Sequence, residues 1–253
     1  MMQVWDSVAA WRDRRAALDD RAIGFVPTMG ALHRGHASLV ERCRAENGIA
    51  VVSIFVNPTQ FNDPRDLERY PRTLDRDLAL LESLGVDEVF APPAVDLYRQ
   101  GYRYRVEPAG APPIMEAAHR PGFMQGVLTV VMKLLNLVRA RRAYFGEKDF
   151  QQLRTVKEMV EEFFIPTEIV ACATVREESG LAESSRNERL SPAGREKAAV
   201  LYRALTEGRN PADAGRILEA EGLTVEYVEE HWGRRLAAVF LEGVRLIDNV
   251  PCA

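Results

Sequence analysis

AIGFVPTMGALHRGH, residues 22–36, decides how this chain of 253 residues is read. Residues 22–26 are apolar and flanked by charge, so they read as a buried strand that Pro27 and Gly30 bring to an end. His33-Arg34-Gly35-His36 then opens a segment whose Leu39, Val40 and Cys43 recur at helical spacing. The pattern is strand, turn, helix, with two histidines where the helix starts. Unpaired N–H groups and the positive end of the macrodipole make such a start suitable for phosphate. On this stretch alone, a βα turn with two solvated histidines fits equally well.

Outward from that stretch the alternation continues. Residues 3–18 read as an amphipathic helix with Val4, Val8, Trp11 and Leu18 near one face. Residues 49–56, IAVVSIFV, are β-branched and apolar nearly throughout, as in strands covered on both faces. NPTQFNDPRD, from Asn57, reads as loop. Residues 74–84 are a helix with Gly85 as its stop, and residues 86–91 a further strand. Short connections between strands and helices imply a parallel sheet with crossover helices. Residues 96–122 are irregular, with one short strand near 102–106. Residues 126–138 form the most apolar helix, 143–145 a strand, 150–164 an amphipathic helix and 167–173 a strand.

After Val175 the character changes. REESGLAESSRNERLSP is polar and reads as a hinge or mobile loop. Helices over 192–207 and 211–222 then precede strands near 224–229, 236–241 and 244–248. The expected organisation is a parallel α/β domain over 1–175 and a small α+β domain over 176–253.

Composition narrows the function. With 33 basic and 37 acidic residues the net charge is −4, which argues against a general nucleic-acid binder. The three cysteines, Cys43, Cys172 and Cys252, show no metal-binding spacing and fit a reduced compartment. The first eighteen residues lack the apolar core of a signal peptide, and no run is long enough to span a membrane. The expectation is a cytoplasmic protein that touches neither membrane nor nucleic acid.

In an open α/β sheet, ligands bind beyond the carboxyl ends of the strands. The loops over 27–36, 57–63 and 146–152 all follow strand ends. His33 and His36 suit phosphate oxygens, and Gly35 lets a ligand approach the backbone. Lys148 suits the charge that grows on a phosphoryl group during transfer. Asn57, Gln60 and Gln152 offer neutral hydrogen bonds to a small polar substrate. Ser184, Ser185 and Arg186 form a hydroxyl-rich cationic loop fit for a triphosphate. Neither a GxxxxGK[ST] loop nor a GxGxxG fingerprint is present. The residues thus describe a phosphate site without a P-loop, beside a small polar pocket, and name no substrate.

His33-x-x-His36 resembles the HIGH signature of the nucleotidyltransferase superfamily, which includes the class I aminoacyl-tRNA synthetases. Residues 181–187 stand where that superfamily carries its KMSKS-type loop. FVPTMGALHRGH at 25–36, VVSIFVNPTQF at 51–61, RYPRTL at 69–74, YFGEKDFQQL at 144–153, SSRN at 184–187 and RLIDN at 245–249 together resemble the pantoate–β-alanine ligase family. Six blocks in order carry far more than the histidine pair alone.

That resemblance implies a Rossmann-like domain with a smaller C-terminal lid, working as a homodimer. It implies ATP-dependent adenylation of pantoate, with Mg²⁺ on the triphosphate, followed by attack of β-alanine and release of AMP. His33, His36 and Lys148 would be catalytic. ATP would be held by Met29, His33, His36, Gly146, Lys148, Asp149, Val175, Ser184, Ser185 and Arg186. Gln60, Gln152 and Met29 would hold pantoate, with Asn57 a candidate for the β-alanine pocket. Other adenylyl or cytidylyl transferases, and an inactive nucleotide-binding relative, are the alternatives.

The chain departs from the family pattern at three places. Phe123 replaces a histidine, Arg141 replaces a proline, and Glu183 replaces Met or Leu. An acid beside a triphosphate loop is repulsive unless it meets Arg186, Lys148 or Mg²⁺.

Overall fold

The computed structural model describes residues 1–18, 22–100, 102–110 and 113–252. It divides into two compact units. The first comprises Met1–Leu32, His36–Gly146 and Gln151–Cys172; the second comprises His33–Gly35, Glu147–Phe150 and Ala173–Ala253.

In the first unit, β1 (Gln3–Trp5), β2 (Ile23–Thr28), β3 (Ile49–Ile54), β4 (Glu88–Phe90), β5 (Arg142–Gly146) and β6 (Glu168–Cys172) form one sheet in the order β1-β4-β3-β2-β5-β6. Every pairing is parallel. The helices are α1 (Val8–Ala16), α2 (Arg34–Glu46), α3 (Pro64–Arg69), α4 (Leu74–Ser83), α5 (Ala94–Leu97), α6 (Met115–His119), α7 (Phe123–Val138) and α8 (Phe150–Glu162). Alternate strand residues Val26, Ala50, Val52, Val89 and Tyr144 pack with Leu39, Val40 and Cys43 of α2 and Leu81 of α4. On the opposite face Trp11 of α1 stacks on Phe90 at 5.4 Å. The indole Nε1 of Trp11 donates to Leu137 O at the end of α7. Arg15, also buried, donates to Val138 O and Arg139 O, so α1 satisfies the terminal carbonyls of α7.

The chain order runs from β2 outward through β3 and β4, then returns to the other side of β2 as β5 and β6. The switch point lies between β2 and β5, where such sheets open a crevice. Pairing of β2 with β5 covers only Gly24 and Phe25.

Several elements differ from expectation. Pro27 does not end β2, which continues to Thr28 opposite Ile54. Arg141 N donates to Ile23 O and Phe55 N to Thr28 O. Alternation by two therefore turns Pro27 toward the β5 side, beyond the end of that pairing, where no N–H is needed. Residues 3–5 are a strand rather than the start of a helix. Ser7 caps α1 by accepting Ala10 N, and Val4, expected near one helix face with Trp11, is 44% exposed on the strand. What holds this short strand is long-range: Trp5 Nε1 and Arg14 both donate to the buried carboxylate of Glu88.

NPTQFNDPRD is not all loop. A 3₁₀ turn spans Pro58–Gln60, and α3 begins at Pro64 with Asp63 as its cap. Residues 102–106 form no strand, and α5 and α6 interrupt the supposedly irregular stretch. Residues 101, 111 and 112 of that reading lie outside the described residues.

In the second unit, α9 (Pro192–Ala198), α10 (Val200–Glu207) and α11 (Pro211–Ala220) precede an antiparallel sheet of β7 (Thr224–His231), β8 (Arg234–Leu241) and β9 (Val244–Pro251). Its core includes Ala198, Leu201, Leu205, Leu218, Val239 and Leu246. The strands run longer than expected because both hairpin turns need only two residues. Trp232-Gly233 and Glu242-Gly243 take positive φ throughout, the geometry of type I′ turns. The polar stretch after Val175 is also more ordered than a mobile loop. Arg176 bridges Ala182, and Leu181 belongs to the core of this unit.

Gly126 binds α7 to the loop after β3, because an added Cβ would lie 2.4 Å from Thr59 O. Gly126→Ala is expected to destabilise the protein by about 1–3 kcal/mol. Thermal or urea unfolding of the purified variant measures this.

Candidate functional site

The turn after β2 is built on left-handed backbone. Gly30 has φ 78° and Ala31 φ 50°. A turn can aim successive N–H groups at one anion. The anion is internal: Asp77 of α4, fully buried, accepts Ala31 N at 2.9 Å and Leu32 N at 2.8 Å. Thr73 Oγ1 donates to the same carboxylate at 3.2 Å. Thr28 Oγ1 donates to Ser53 O and accepts Gly30 N, fixing the other side of the turn.

Met29 projects from this turn, and its sulfur accepts Gln60 Nε2 at 2.9 Å. Gln60 Oε1 accepts Asn57 Nδ2 at 3.0 Å, so three expected site residues of the first unit are joined directly. Asn57 is itself locked. Its Nδ2 also donates to Gly126 O, while its Oδ1 accepts from Thr59 and from the Tyr98 hydroxyl at 2.8 Å. Burial pushes the Tyr98 phenol up to about 12, which keeps it a donor at neutral pH.

Arg120 reaches the same loop and donates to Gln60 O at 3.1 Å. Its guanidinium also meets Glu116 at 3.2 Å and lies 3.6 Å from the ring centroid of Phe123. The apolar ring at position 123 thus acts as a platform for a cation. Gln152 is half-buried in the first turn of α8. Gly146 ends β5 with nothing within 4 Å of an added Cβ, space that admits a close approach to backbone. His36 is half-buried in the first turn of α2.

His33, Lys148, Asp149, Val175, Ser184, Ser185 and Arg186 belong to the second unit. His33 precedes α2 and caps it, its Nδ1 accepting Gly35 N at 3.2 Å. That bond leaves the proton on Nε2 in the neutral ring. A Cβ at Gly35 would lie 2.9 Å from the imidazole, so a larger residue there would displace the ring. Burial, followed by the Lys148 charge, lowers the His33 pKa to about 4 against an opposing pull from Asp149. At neutral pH, His33 is therefore an uncharged Nε2–H donor beside a lysine.

Val175 O accepts Glu183 N at 3.0 Å, closing a hairpin that leads into Ser184. Ser184 caps the following 3₁₀ turn by accepting Arg186 N, a structural task beside any binding task. Asp149 ends the 3₁₀ turn Glu147–Asp149 that leads into α8. Glu183 finds a cation other than those expected: it pairs with Arg34, with N and O 3.9 Å apart. Asp77, Tyr98, Arg120 and Arg34 were missed from the sequence, since each acts on a segment distant in the chain or hidden by folding. The block around RYPRTL was the sole signal near Asp77.

Comparison with known proteins bears directly on this arrangement. A family model described as Pantoate-beta-alanine ligase matches residues 2–251. A pantothenate synthetase of Bdellovibrio bacteriovorus is 52% identical over 241 residues, covering 95% of this chain and 94% of that one. One from Legionella pneumophila is 50% identical over 249 residues, covering 98% and 99%. Among solved structures, a Francisella tularensis pantoate-beta-alanine ligase complexed with beta-gamma ATP and beta-alanine superposes with TM-score 0.94 at 40% identity, covering 99% of this chain and 98% of that one. A pantothenate synthetase from Thermus thermophilus gives TM-score 0.91 at 45% identity over 99% of both chains.

The lowered pKa of His33 has a consequence for stability. The unfolded chain takes up this proton more readily, so the contribution is complete above the usual histidine value of 6.5 and is lost as pH falls through about 4. On going from about pH 7 to about pH 4, the protein is expected to lose roughly 2 kcal/mol more than His33→Asn, which keeps a capping side chain. Urea denaturation of both proteins across that range decides it; parallel losses would contradict the assignment.

Proposed function

The chain belongs to the pantoate–beta-alanine ligase family, and we propose that it condenses pantoate with β-alanine through a pantoyl adenylate. ATP is the activating substrate. A carboxylate is a poor acyl donor until it carries a good leaving group. In the first step a pantoate carboxylate oxygen bonds to the α-phosphorus and the bond to pyrophosphate breaks. In the second, the neutral amine of β-alanine attacks the acyl carbon, the acyl–phosphate oxygen bond breaks, and AMP leaves. The nitrogen then releases a proton.

The observation that carries the residue assignment is the neutral, capping imidazole of His33 beside Lys148. Charge on the triphosphate grows and moves as pyrophosphate departs, and two kinds of donor suit it. Lys148 supplies a mobile cation. His33 supplies a directed Nε2–H bond, with its ring orientation set by Gly35 N. His36, on the first turn of the same helix, is the second imidazole assigned to the phosphates.

Gly146 and Asp149 are assigned to the ribose, the Val175 backbone to the adenine edge, and Ser184, Ser185 and Arg186 to the triphosphate. Met29, Gln60 and Gln152 are assigned to pantoate. The lock on Gln60 through Asn57 and Met29 Sδ supports this role, because a preset amide loses little freedom on binding. Asn57 has its amide committed to Gly126 and Gln60, which favours a supporting role over direct contact with β-alanine.

Mg²⁺ is assigned to the triphosphate it would accompany. As a hard cation it suits the oxygens of the triphosphate and of water. The division at residue 175, a closing movement of the C-terminal part, a homodimer and a cytoplasmic location belong to the same proposal. Free Cys43, Cys172 and Cys252 are compatible with a reducing compartment, and no described helix is long and apolar enough to cross a membrane.

AMP release is expected to require ATP, pantoate and β-alanine together, while isotope exchange between pyrophosphate and ATP requires pantoate alone. His36→Ala is expected to lower that exchange by roughly 10²- to 10³-fold. Exchange independent of pantoate, or retained in the variant, would overturn the assignment.

A further inference from the structure

RLIDN, residues 245–249, is a sequence block that the reaction itself leaves without a role. It lies in β9, where Asp248 and Asn249 are both buried. Adjacent buried polar groups in one strand are costly unless every atom is partnered. Here they are, and the partners include the turn that carries Lys148 and the residue after Val175.

Asn249 Nδ2 donates to two carbonyls at once, Glu147 O and Lys148 O, each at 2.9 Å. Its Oδ1 accepts Arg234 Nε, and Arg234 also meets Glu147 at 3.3 Å. The amide orientation is therefore determined: a flip would turn an oxygen toward two carbonyl oxygens. Asp248 holds Arg176 through both guanidinium branches, at 2.6 and 2.9 Å. Arg176 further donates to Gly180 O and to Asn249 O. It follows Val175 and bridges Ala182, so it anchors the hairpin that delivers Ser184–Arg186. Two neighbouring residues thus hold the turn that carries Lys148 and the hairpin that carries the serine–arginine loop, both within the second unit.

We propose that Asn249 is a positioning residue for Lys148, and that with Asp248 it sets the lysine in register with Ser184, Ser185 and Arg186. The inference rests on the reading that Lys148 and this loop contact the ATP phosphates. Asn249 has the polar atoms of its amide all committed to protein groups. Its amide fixes the backbone from which the ammonium extends, and small misplacements of such a group are expensive in rate.

Asn249→Asp tests this, because it keeps the shape and the Arg234 contact while turning an anionic oxygen toward the two carbonyls. Steady-state AMP release would be measured for this variant, for Lys148→Ala and for the double variant, with circular dichroism and melting recorded for each. Asn249→Asp is expected to lower kcat/KM for ATP by about 30- to 100-fold while KM for pantoate stays within about twofold. Combined with Lys148→Ala, it is expected to cost less than about threefold more, since residues acting through one another are not additive.

An unimpaired Lys148→Ala would refute the phosphate role of Lys148 itself. An impaired Lys148→Ala with a near-normal Asn249→Asp, with effects that multiply, or with an equal rise in KM for pantoate would refute the positioning role alone. Should Asn249→Asp fail to fold, Arg234→Ala, which releases Oδ1 from the outer end of the network, is expected to show the same split at about tenfold. Wild-type kinetics in that variant would overturn the proposal.

Discussion

A buried carboxylate shapes the turn on which the first unit depends. Left-handed backbone at Gly30 and Ala31 exposes two N–H groups that β2 and α2 leave unpaired, and Asp77 takes both. Without that acceptor the two donors would be stranded in the interior, at a cost of about 1–3 kcal/mol each. The contact also settles geometry. It ties α4 to the end of the central strand, and it fixes where Met29 leaves the backbone. An added Cβ at Gly30 would lie 3.0 Å from Asp77 Oδ2, a tight contact on top of a left-handed φ that already favours glycine.

The same device recurs with different chemistry. Asn57 holds Gln60 with one amide hydrogen and α7 with the other. Asn249 holds the Lys148 turn with both of its hydrogens. In each case a buried side chain fastens a loop to an element distant in the chain, and its own polar atoms are partnered as a closed interior requires. Met29, Gln60 and Lys148, assigned to substrate, stand on segments tied by these bonds. These loops lie at strand ends, and buried amides and carboxylates add long-range hydrogen bonds to them.

Elements written in local pattern were legible in the sequence. The apolar run of β3, the periodicity of α4 with its terminal Gly85, and the long apolar α7 need only neighbours within a dozen residues. Elements set by distant partners were not. β1 exists because Trp5 and Arg14 satisfy Glu88, and three residues carry no readable period. Pro27 read as a breaker because its harmlessness depends on where β5 stops pairing. The start of α3 was legible, with Asp63 before Pro64, yet two prolines and two asparagines nearby masked it. Candidate site residues were named from motif and chemistry, whereas their supports Asp77, Tyr98 and Arg120 emerge only when remote segments meet.

The departures at Phe123 and Glu183 both find partners within the fold. Phe123 loses the hydrogen bonds of a histidine and gains a π-face, which seats Arg120 at 3.6 Å and thereby supports Gln60 O. Glu183 adds an acid near the serine–arginine loop but pairs with Arg34, in the first turn of α2. At 3.9 Å and with Arg34 largely exposed, that pair contributes little to stability. Its effect lies in charge placement: Glu183 offsets one positive charge near His33, leaving Lys148 and Arg186 as the cations assigned to phosphate. A histidine held neutral by burial needs no counter-charge of its own.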